Sequence, residues 1–355
     1  MFNGARILVA PLDWGLGHAS RCVPIIRRLV ELGAQPVIGA DKGPLELLRR
    51  EFPDLEHVVL PGVEIRYGRG PSQLWSMARQ FPAMVRSVHA ERALFERLRP
   101  ELRLNAVISD QRFGIRSPDL HSVLITHQVF PYTPFAQRAL RRVNRLHISR
   151  FNRCWVMDEP EAPGLAGELS HGRPWPGNAR YIGTVSRLQR EGPAEGPYDT
   201  VAVISGPEPQ RTLLEHRLIS QLSSLPGRHL LVLGLPGLDR QEQVGTLAIR
   251  AHLDGAALGA ALRGARLIIS RSGYTTLMDL AALGRSALVV PTPGQLEQEY
   301  LGELHRRTGR FVVQVQEALD VRRALREALP PRAEPVSAHA PLLESALEEL
   351  AAALC

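Results

Sequence analysis

Lysine is almost absent from this chain of 355 residues: Lys42 is the only one, and every other Lys/Arg position holds arginine. A P-loop ATPase needs a lysine in its phosphate-binding loop, and a Schiff-base enzyme needs one as its nucleophile. Lys42 lies in the stretch ADKGPLE, which fits neither motif. The sequence therefore argues against both of these enzyme classes.

Cysteine is scarce as well: the chain contains Cys22, Cys154 and Cys355, and they do not show the spacing of metal ligands. This pattern is typical of a protein in a reducing compartment. The sequence has no run of eighteen apolar residues, so it predicts no membrane-spanning helix. Its first residues enter a strand pattern without a basic and then apolar leader, and we expect a cytoplasmic protein.

Short apolar runs alternate with helical patterns along most of the chain, which at this length indicates two domains. A Gly- and Pro-rich passage at 159–199 separates two such series. We expect an α/β protein of two doubly wound, Rossmann-like domains that face each other across a cleft. The N-terminal domain would span 1–185 and the C-terminal domain 186–340. A last helix at 341–355 would pack back across the junction.

The stretch ARLIISRSGYTTLMDLAALGRSALVVPTPGQLEQEY contains two strand–turn–helix units in succession. The first helix begins near Tyr274, and the free N–H groups at its start can bind an anion. Asp279 lies one turn further on, within reach of a sugar hydroxyl. An interpretation without a ligand is also open, in which Ser272 caps the helix and Asp279 favours its dipole. The residues expected at a nucleotide-sugar site are Arg271, Ser272, Gly273, Thr275, Thr276, Asp279 and Gln298.

The motif SRSGYTTLMDLAALGRSALVVP, with the later Gln298, resembles the donor-binding segment of GT-B glycosyltransferases. It is similar to the family that adds N-acetylglucosamine to the lipid-linked peptidoglycan precursor. The resemblance implies that Asp279 binds the ribose and Gln298 the donor sugar, with Glu297 and Glu299 nearby. The stretches ISDQRFG, THQ, RFNRCWVMDEP and LAGELSH resemble a bacterial branch of the same group.

Three further segments follow the order of that family. YIGTVSR ends in Arg187, which the resemblance places at the diphosphate. AHLDG matches the segment whose backbone reads the uracil, at His252 and Leu253. VISGPEPQR stands where the family has a Gly-Gly-Ser-Gln-Gly loop, and it keeps Gly206 but has Pro207 in place of the serine. The resemblance thus implies a UDP-sugar as co-substrate and no bound cofactor.

The turn GLGHASR follows the first predicted strand and contains His18. An imidazole with a pKa of about 6.5 suits a base that takes the proton of an acceptor hydroxyl at neutral pH. The glycines allow the loop to pass close to the cleft. Related nucleotide-sugar glycosyltransferases carry Gly-His in this loop, and some use the histidine as base. Asp13 and Asp110 are alternative bases, or residues that orient His18.

Gly17 and His127 are expected on the acceptor side, but the sequence leaves the acceptor open, and a lipid-linked molecule is one candidate. Residues 131–157 contain six arginines and no acid. Two interpretations of this run stay open: a solvated helix face, and contact of 130–157 with an anionic membrane at the inner face of the plasma membrane. No known nucleic-acid module accompanies the charge, so no nucleic-acid partner is expected.

The function expected is inverting transfer of a hexosyl group, N-acetylglucosamine by resemblance, from a UDP-sugar to an acceptor hydroxyl. The sequence shows no His-Glu-x-x-His or Asp-x-Asp spacing, so no metal site is expected. Three alternatives stay open. One is an epimerase of the non-hydrolysing UDP-N-acetylglucosamine type, and another is a nucleotide-sugar-binding protein without catalysis. The third is an NAD-dependent oxidoreductase, although GLGHAS has only two of the three fingerprint glycines.

Overall fold

The computed structural model describes residues 1–62, 73–133, 136–327 and 340–354. The first half is built on a sheet whose strands include the predicted apolar runs. They are β1 (Arg6–Pro11), β2 (Gln35–Ala40), β3 (Glu56–Val59), β4 (Ala106–Asp110), β5 (His121–Thr126), β6 (Arg153–Val156) and β7 (Ala179–Tyr181). They lie in the order β3-β2-β1-β4-β5-β6-β7, and every neighbouring pair is parallel.

Helices pack on both faces of this first sheet. They are α1 (Leu16–Glu31), α2 (Lys42–Glu51), α3 (Gln73–Leu102) and α4 (Gln137–Ile148). Ile7 and Val9 of β1 share a buried cluster with α1, whereas Leu8 and Ala10 share another with Phe95 of α3. Successive residues of β1 thus face opposite sides, as the pleat of a strand requires, and both sides are apolar because both are covered.

The second half repeats this architecture. Its strands are β8 (Tyr198–Val203), β9 (His229–Val232), β10 (Gln241–Val244), β11 (Leu247–Arg250), β12 (Ala265–Ser270), β13 (Leu288–Val289) and β14 (Val312–Val313). They lie in the order β10-β11-β9-β8-β12-β13-β14, and β10 is antiparallel to β11 whereas the other pairs are parallel. The helices are α5 (Gln210–Leu222), α6 (Gly255–Arg263), α7 (Tyr274–Ala282), α8 (Leu296–Arg307) and α9 (Val321–Arg326).

Two parallel sheets with helices on their faces confirm the expected class, two Rossmann-like α/β units. The predicted boundary between 185 and 186 falls in the connection from β7 to β8, and it stays a prediction. The last helix, α10 (Ala340–Ala352), packs against the first half of the chain. There Glu344 accepts two hydrogen bonds from Arg28 of α1, at 2.7 and 2.8 Å, and Leu347 is fully buried.

None of the helices in the part of the chain that the structure describes combines the length and the apolarity needed to cross a bilayer.

Candidate active site

His18 and Asp110 meet at the carboxyl ends of two neighbouring strands. β1 and β4 are parallel with Pro11 opposite Asp110, so the loop that leaves β1 starts beside this carboxylate. Gly15 precedes α1 with a φ of 126°, in the region that favours glycine, and the helix begins at the next residue. His18 therefore lies in the first turn of α1, where its Nδ1 is 2.9 Å from Asp110 Oδ2.

Arg21 lies one turn after His18 on α1 and binds the same carboxylate through two nitrogens. Its Nε donates to Asp110 Oδ2 at 2.7 Å, and its Nη2 donates to Oδ1. Arg21 is 2% exposed and Asp110 is fully buried. Burial raises the pKa of Asp110, but the charges of Arg21 and His18 outweigh it and hold this pKa well below its ordinary value. Asp110 is therefore a permanent carboxylate that orients other groups.

The imidazole of His18 has an acceptor and a donor beside the same ring nitrogen. Its Nδ1 lies 2.9 Å from Asp110 Oδ2, which can only accept, and 2.8 Å from Arg21 Nη2, which can only donate. In the tautomer with the proton on Nδ1, Asp110 accepts this proton and Nε2 is left with the lone pair that a general base requires. Burial and Arg21 lower the pKa of His18, although Asp110 opposes them. The ring is therefore neutral near pH 7, and it lines the cleft between the two halves.

A chain of polar contacts leads from this cluster across the cleft to α8. Arg21 Nη1 lies 3.1 Å from His127 Nδ1, and His127 Nε2 lies 2.8 Å from Glu297 Oε1. Gln128 Nε2 donates to the other oxygen of Glu297, at 2.6 Å. Burial raises the pKa of Glu297, but His127 outweighs it and the pKa falls. The two halves are thus joined at the site by hydrogen bonds between charged and polar side chains.

His127 also contacts the start of α7. Its ring is stacked on Tyr274, with 4.2 Å between the centroids and 2° between the planes. The Tyr274 hydroxyl donates to the carbonyl of Met157, a further contact between the halves. The sequence places His127 on the acceptor side, but both of its nitrogens have partners within the protein and it is 3% exposed. This geometry favours a contact between the halves over an acceptor contact.

A second cavity, beside His18, lies at the carboxyl ends of β8, β9 and β12. Gly17, Ser205, Thr275 and Thr276 line both this cavity and the cleft that contains His18, so the two spaces are adjacent. Among the residues that line the cavity are Leu16, Arg187, His252, Leu253, Thr275, Thr276 and Asp279. The structure therefore brings together six of the donor-binding residues expected from the sequence, at the N-terminal part of α7.

Asp279, which lines this cavity, has a pKa above its ordinary value. It accepts a hydrogen bond from Ser186 Oγ at 2.6 Å, while Arg187 Nη1 lies 3.2 Å from Glu51 Oε1. Burial raises the pKa of Asp279 to about 6, against the opposing charge of Arg187 and the bond from Ser186. Burial, and then Arg187, lower the pKa of His252 to about 4. Near neutral pH the cavity thus contains a carboxylate and an uncharged imidazole.

Arg271 and Ser272 are oriented differently from what the sequence suggests. The guanidinium of Arg271 is 2% exposed, and it donates to three backbone carbonyls and to Gln316 Oε1. Burial lowers the pKa of Arg271 to about 10. Ser272 Oγ donates to the carbonyl of Gln298 at 2.8 Å, and α7 has no side-chain cap. Both side chains hold loops beneath the site, so their expected contacts with the diphosphate stay predictions that this geometry does not favour.

Thr275 and Gln298 have partners in the protein as well. Thr275 Oγ1 donates to the carbonyl of Gly17 at 3.0 Å, so its hydroxyl joins the donor helix to the His18 loop. Gln298 Oε1 accepts from the N–H and the hydroxyl of Thr292 at 3.0 and 2.9 Å. This pair fixes the amide, and Gln298 lines the cleft. The expected donor residues Gly206, Gly273 and Thr276 line the same cleft.

Asp13 lies apart from the base. Its carboxylate packs against Gly62, and a side chain at that glycine would collide with it. Burial raises the pKa of Asp13 to about 6, although Arg112 opposes this. The cleft around His18 is lined by the neighbouring Trp14. Of the two aspartates proposed from the sequence, Asp110 is therefore the one that contacts His18.

The sequence pointed to Gln128 beside His127 on the acceptor side, but sequence reasoning overlooked Arg21 and Tyr274 as site residues. Arg21 had a usable signal, since it follows His18 by three residues on a predicted helix and so lies on the same face. Within the described ranges, no three His, Cys, Asp or Glu side chains converge in a way that would hold a metal ion.

Residues 256–347 match the model of the glycosyltransferase family 28 C-terminal domain. This segment contains α7, α8 and all the expected donor residues from Arg271 to Gln298. A shorter segment is similar to UDP-N-acetylglucosamine–N-acetylmuramyl-(pentapeptide) pyrophosphoryl-undecaprenol N-acetylglucosamine transferases. It is 48% identical over 42 residues to those of Methylobacterium radiotolerans and Rhodopseudomonas palustris, and it covers 12% of this chain and 11% and 12% of those proteins.

Solved structures match nearly the whole chain at low identity. The calicheamicin glycosyltransferase CalG4 has a TM-score of 0.62 at 15% identity, and SnogD from Streptomyces nogalater has 0.60 at 18%. Each match covers 99% of this chain and 98% of the other. MurG from Acinetobacter baumannii has 0.52 at 14%, with 99% of both chains covered.

The chain has the GT-B fold. Its C-terminal half carries the family 28 segment, and the comparisons together support an enzyme of the glycosyltransferase class. In this GT-B protein the family 28 segment contributes α7 and α8, whereas His18, Asp110 and His127 come from the half that the family model leaves unmatched.

Proposed function

We propose that this protein transfers a hexosyl group from a UDP-sugar to an acceptor hydroxyl, with inversion and without a metal ion. The observation that carries the proposal is the position of the His18–Asp110 pair. The two side chains are 2.9 Å apart on the first half, and His18 lines a cleft that shares Gly17, Thr275 and Thr276 with the cavity at the start of α7. A base on one side and a nucleotide cavity on the other suit transfer between two bound substrates.

The donor would lie along the cavity from Asp279 to Gln298. Asp279 would accept a ribose hydroxyl, and the backbone near His252 and Leu253, which line the same cavity, would contact the uracil. The sugar would then reach the cleft, where Gln298 offers an amide that Thr292 holds in place. The names of the similar family 28 relatives favour UDP-N-acetylglucosamine as the donor.

The chemical step would begin at Nε2 of His18. This nitrogen takes the proton of the acceptor hydroxyl as the oxygen attacks the anomeric carbon. The bond between that carbon and the phosphate oxygen breaks, and UDP leaves from the opposite face of the sugar. Asp110 holds the imidazole through Nδ1–H and stabilises the imidazolium that forms, which is the part an aspartate plays in a catalytic triad.

The charge of the leaving UDP would be stabilised by the free N–H groups at the start of α7. Gly273 is the residue before this helix, and the absence of a side-chain cap leaves those N–H groups to a ligand. Arg187 lines the cavity and would add a cation, although it is shared with Glu51. An N-terminal helix end and one guanidinium supply the same kind of stabilisation that a metal ion gives in other transferases.

The acceptor would approach from the side of α4, which carries an apolar and basic surface. Leu146 is 53% exposed and Val143 is 40% exposed, and arginines alternate with them along the helix. Asn144 of α4 donates to the carbonyl of Gln128, so this surface begins next to the cleft. We propose that it contacts anionic lipid and that the acceptor is lipid-linked, at the inner face of the plasma membrane.

The activity is tested by incubation with UDP-N-acetylglucosamine, UDP-glucose, UDP-galactose or UDP-glucuronate in the presence of EDTA. We expect UDP release, fastest with UDP-N-acetylglucosamine, and its loss in His18→Ala with UDP binding retained. Epimerised sugar without UDP release would contradict transfer. Tight UDP binding without any turnover, in the presence of lipid extracts as an acceptor source, would leave a binding protein.

The membrane contact is tested by sedimentation with vesicles of phosphatidylglycerol or of phosphatidylcholine. Binding to the anionic vesicles alone is expected, and Leu146→Ser should weaken it. Leu213, which is 49% exposed on α5, provides the matched control, because Leu213→Ser removes an equally exposed leucine from another helix. Equal binding of both variants, or no binding by the wild type, would contradict the contact.

A further inference from the structure

The connected side chains Asp110, Arg21, His127 and Glu297 form a chain of contacts from the carboxylate beside His18 to α8, which we call the cross-cleft chain. Its first link is the two-nitrogen contact of Arg21 with Asp110. Its second is Arg21 Nη1 to His127 Nδ1 at 3.1 Å, and its third is His127 Nε2 to Glu297 Oε1 at 2.8 Å. The links lie between neighbouring residues of α1, β4, β5 and α8.

The donors and acceptors of this chain agree with one another. A guanidinium can only donate, so Nδ1 of His127 accepts from Arg21 and carries no proton. The proton of a neutral His127 is then on Nε2, where it is donated to the Glu297 carboxylate. Gln128 donates to the second oxygen of Glu297 and so fixes its orientation. One tautomer of His127 therefore satisfies both halves of the protein at once.

The burial of these charged side chains argues against a role of the cross-cleft chain in packing alone. Arg21, Asp110 and His127 are nearly inaccessible, and removing such charges from water costs more than an apolar contact of the same shape. His127 touches the first turn of both donor helices, since its ring is stacked on Tyr274 of α7 and bonded to Glu297 of α8. The chain thus connects the carboxylate that holds the base with the helices expected to hold the donor.

We propose that Arg21 and His127 are positioning residues that align the His18–Asp110 pair with the donor helices. The proposal rests on the proposed function, since it assigns these residues to the same reaction. The geometry gives each a separate task. Arg21 fixes the carboxylate and balances its charge, whereas His127 sets the distance between that carboxylate and Glu297.

Four groups determine the proton affinity of His18, and they come from each element packed against it. Burial lowers its pKa most, Arg21 on α1 lowers it further, Asp110 at the end of β4 raises it, and a positive charge on His127, which follows β5, would lower it. Glu297 on α8 interacts with the same imidazole from across the cleft. Removing the cation of Arg21 while Asp110 stays ionised should therefore raise the pKa of His18.

The first test is an NMR titration of the imidazole nitrogens in ¹⁵N-histidine-labelled protein, which needs no activity. In Arg21→Gln we expect the pKa of His18 to rise by about one unit. Arg21→Lys should bring it back toward the wild-type value. The wild-type spectrum should show neutral His127 with its proton on Nε2. Arg323→Gln is the matched control, because the side chain of Arg323 is exposed on α9 and its ion pair is with Glu327, far from the cross-cleft chain in sequence.

The second test is a double-mutant cycle on kcat with the UDP-sugar that the wild type uses. Arg21→Gln and His127→Phe, which keeps a ring on Tyr274, should each lower kcat about 10- to 100-fold with UDP binding retained. The double variant should be no slower than the slower single variant, because both break one chain. Arg21→Lys should restore the titration of His18 but not kcat, since it loses the second link.

The proposal would be overturned if the pKa of His18 is unshifted in Arg21→Gln, or if His127 carries its proton on Nδ1. It would also be overturned if the loss of kcat in the double variant equals the product of the losses in the two single variants. The titration also separates this proposal from the proposed function. If the wild type transfers no sugar, the titration alone decides whether the chain exists in solution. If transfer occurs while the titration and the cycle show no coupling, the chain is refuted and the activity stands.

Discussion

Uridine should bind this protein about tenfold more weakly at about pH 5 than at about pH 7.5, because Asp279 takes up a proton in that interval. In the proposed site the carboxylate accepts ribose hydroxyls, and a protonated carboxyl loses part of that capacity. Burial raises the pKa of Asp279 to about 6, against the opposing effects of Arg187 and Ser186. The affinity is therefore complete above this pKa and is lost as the pH falls through it.

The size of the effect follows from the fraction of protein that is ionised. With a pKa of about 6 for Asp279, nearly all molecules are ionised at about pH 7.5, but only about one in ten at about pH 5. The apparent Kd is the intrinsic value divided by this fraction, so it rises about tenfold, or about 1.4 kcal/mol. His252 contributes little in this range, because burial lowers its pKa to about 4 and it stays mostly neutral.

Isothermal titration calorimetry with uridine at several pH values measures this change in Kd directly. Uridine is preferred to UDP because a terminal phosphate has a pKa of about 6 of its own and would mask the effect. Asp279→Asn should bind uridine more weakly than the wild type at about pH 7.5 and show no pH dependence. Asp119→Asn, which removes an exposed carboxylate in the first half, should keep the wild-type profile. A flat wild-type profile, or an equal slope in Asp279→Asn, would refute the reasoning.

Three further predictions concern contacts that the structure defines. Asp110→Asn should lower kcat at least about 100-fold with UDP affinity unchanged, because a neutral amide cannot stabilise the imidazolium of His18 and its NH2 can favour the wrong tautomer of the ring. Steady-state kinetics and UDP calorimetry check this, and a normal kcat would remove Asp110 from the mechanism. Thr275→Val should reduce kcat about tenfold and leave UDP affinity intact, because it breaks the bond to Gly17; a matching loss of UDP affinity would instead make the hydroxyl a phosphate ligand. Arg271→Met should clearly lower the thermal unfolding midpoint, since it leaves the buried acceptors of Arg271 unpaired at a cost of about 3 kcal/mol in the free energy of unfolding. An unchanged midpoint in differential scanning fluorimetry would contradict the role of Arg271 in holding these loops.

The fold was predictable where one feature of the sequence decides the structure. Buried parallel strands are continuous apolar runs, and ARLIIS at 265–270 is a strand over those residues. The run at 286–291 forms only Leu288–Val289, and β6, β7, β10, β11 and β14 were not predicted. These are short strands: β7, β10 and β14 are edge strands, and β6 and β11 lie next to an edge.

The site was predictable in its location but not in the direction of its side chains. Arg271 and Asp279 stand in one strand–turn–helix unit, and either was a reasonable ligand on sequence. The structure turns Arg271 beneath the sheet edge, whereas Asp279 lines the cavity. That difference depends on acceptors such as Gln316, which lies far along the chain, so no local pattern could reveal it.

Asp110 illustrates a contact that requires topology. Asp13 stands five residues from His18 in the sequence and Asp110 stands far away, so sequence distance favours the wrong neighbour. The order β2-β1-β4 puts the ends of β1 and β4 side by side, and this brings Asp110 to His18. Strand order within a parallel sheet is set by packing of the whole domain, which apolar runs alone do not encode.

In the proposed function, donor and acceptor recognition lie on different parts of this chain. The segment that matches family 28 contains α7, α8 and Asp279, to which the proposal assigns the nucleotide. His18, Asp110 and the basic surface of α4 lie outside it, on the half where the similarity to solved structures shows the fold alone. If the proposal is correct, relatives that share the matched segment should share the donor, while the acceptor can differ among them. Searches for the acceptor should accordingly vary the surface of α4 and the His18 loop while leaving the donor helices unchanged.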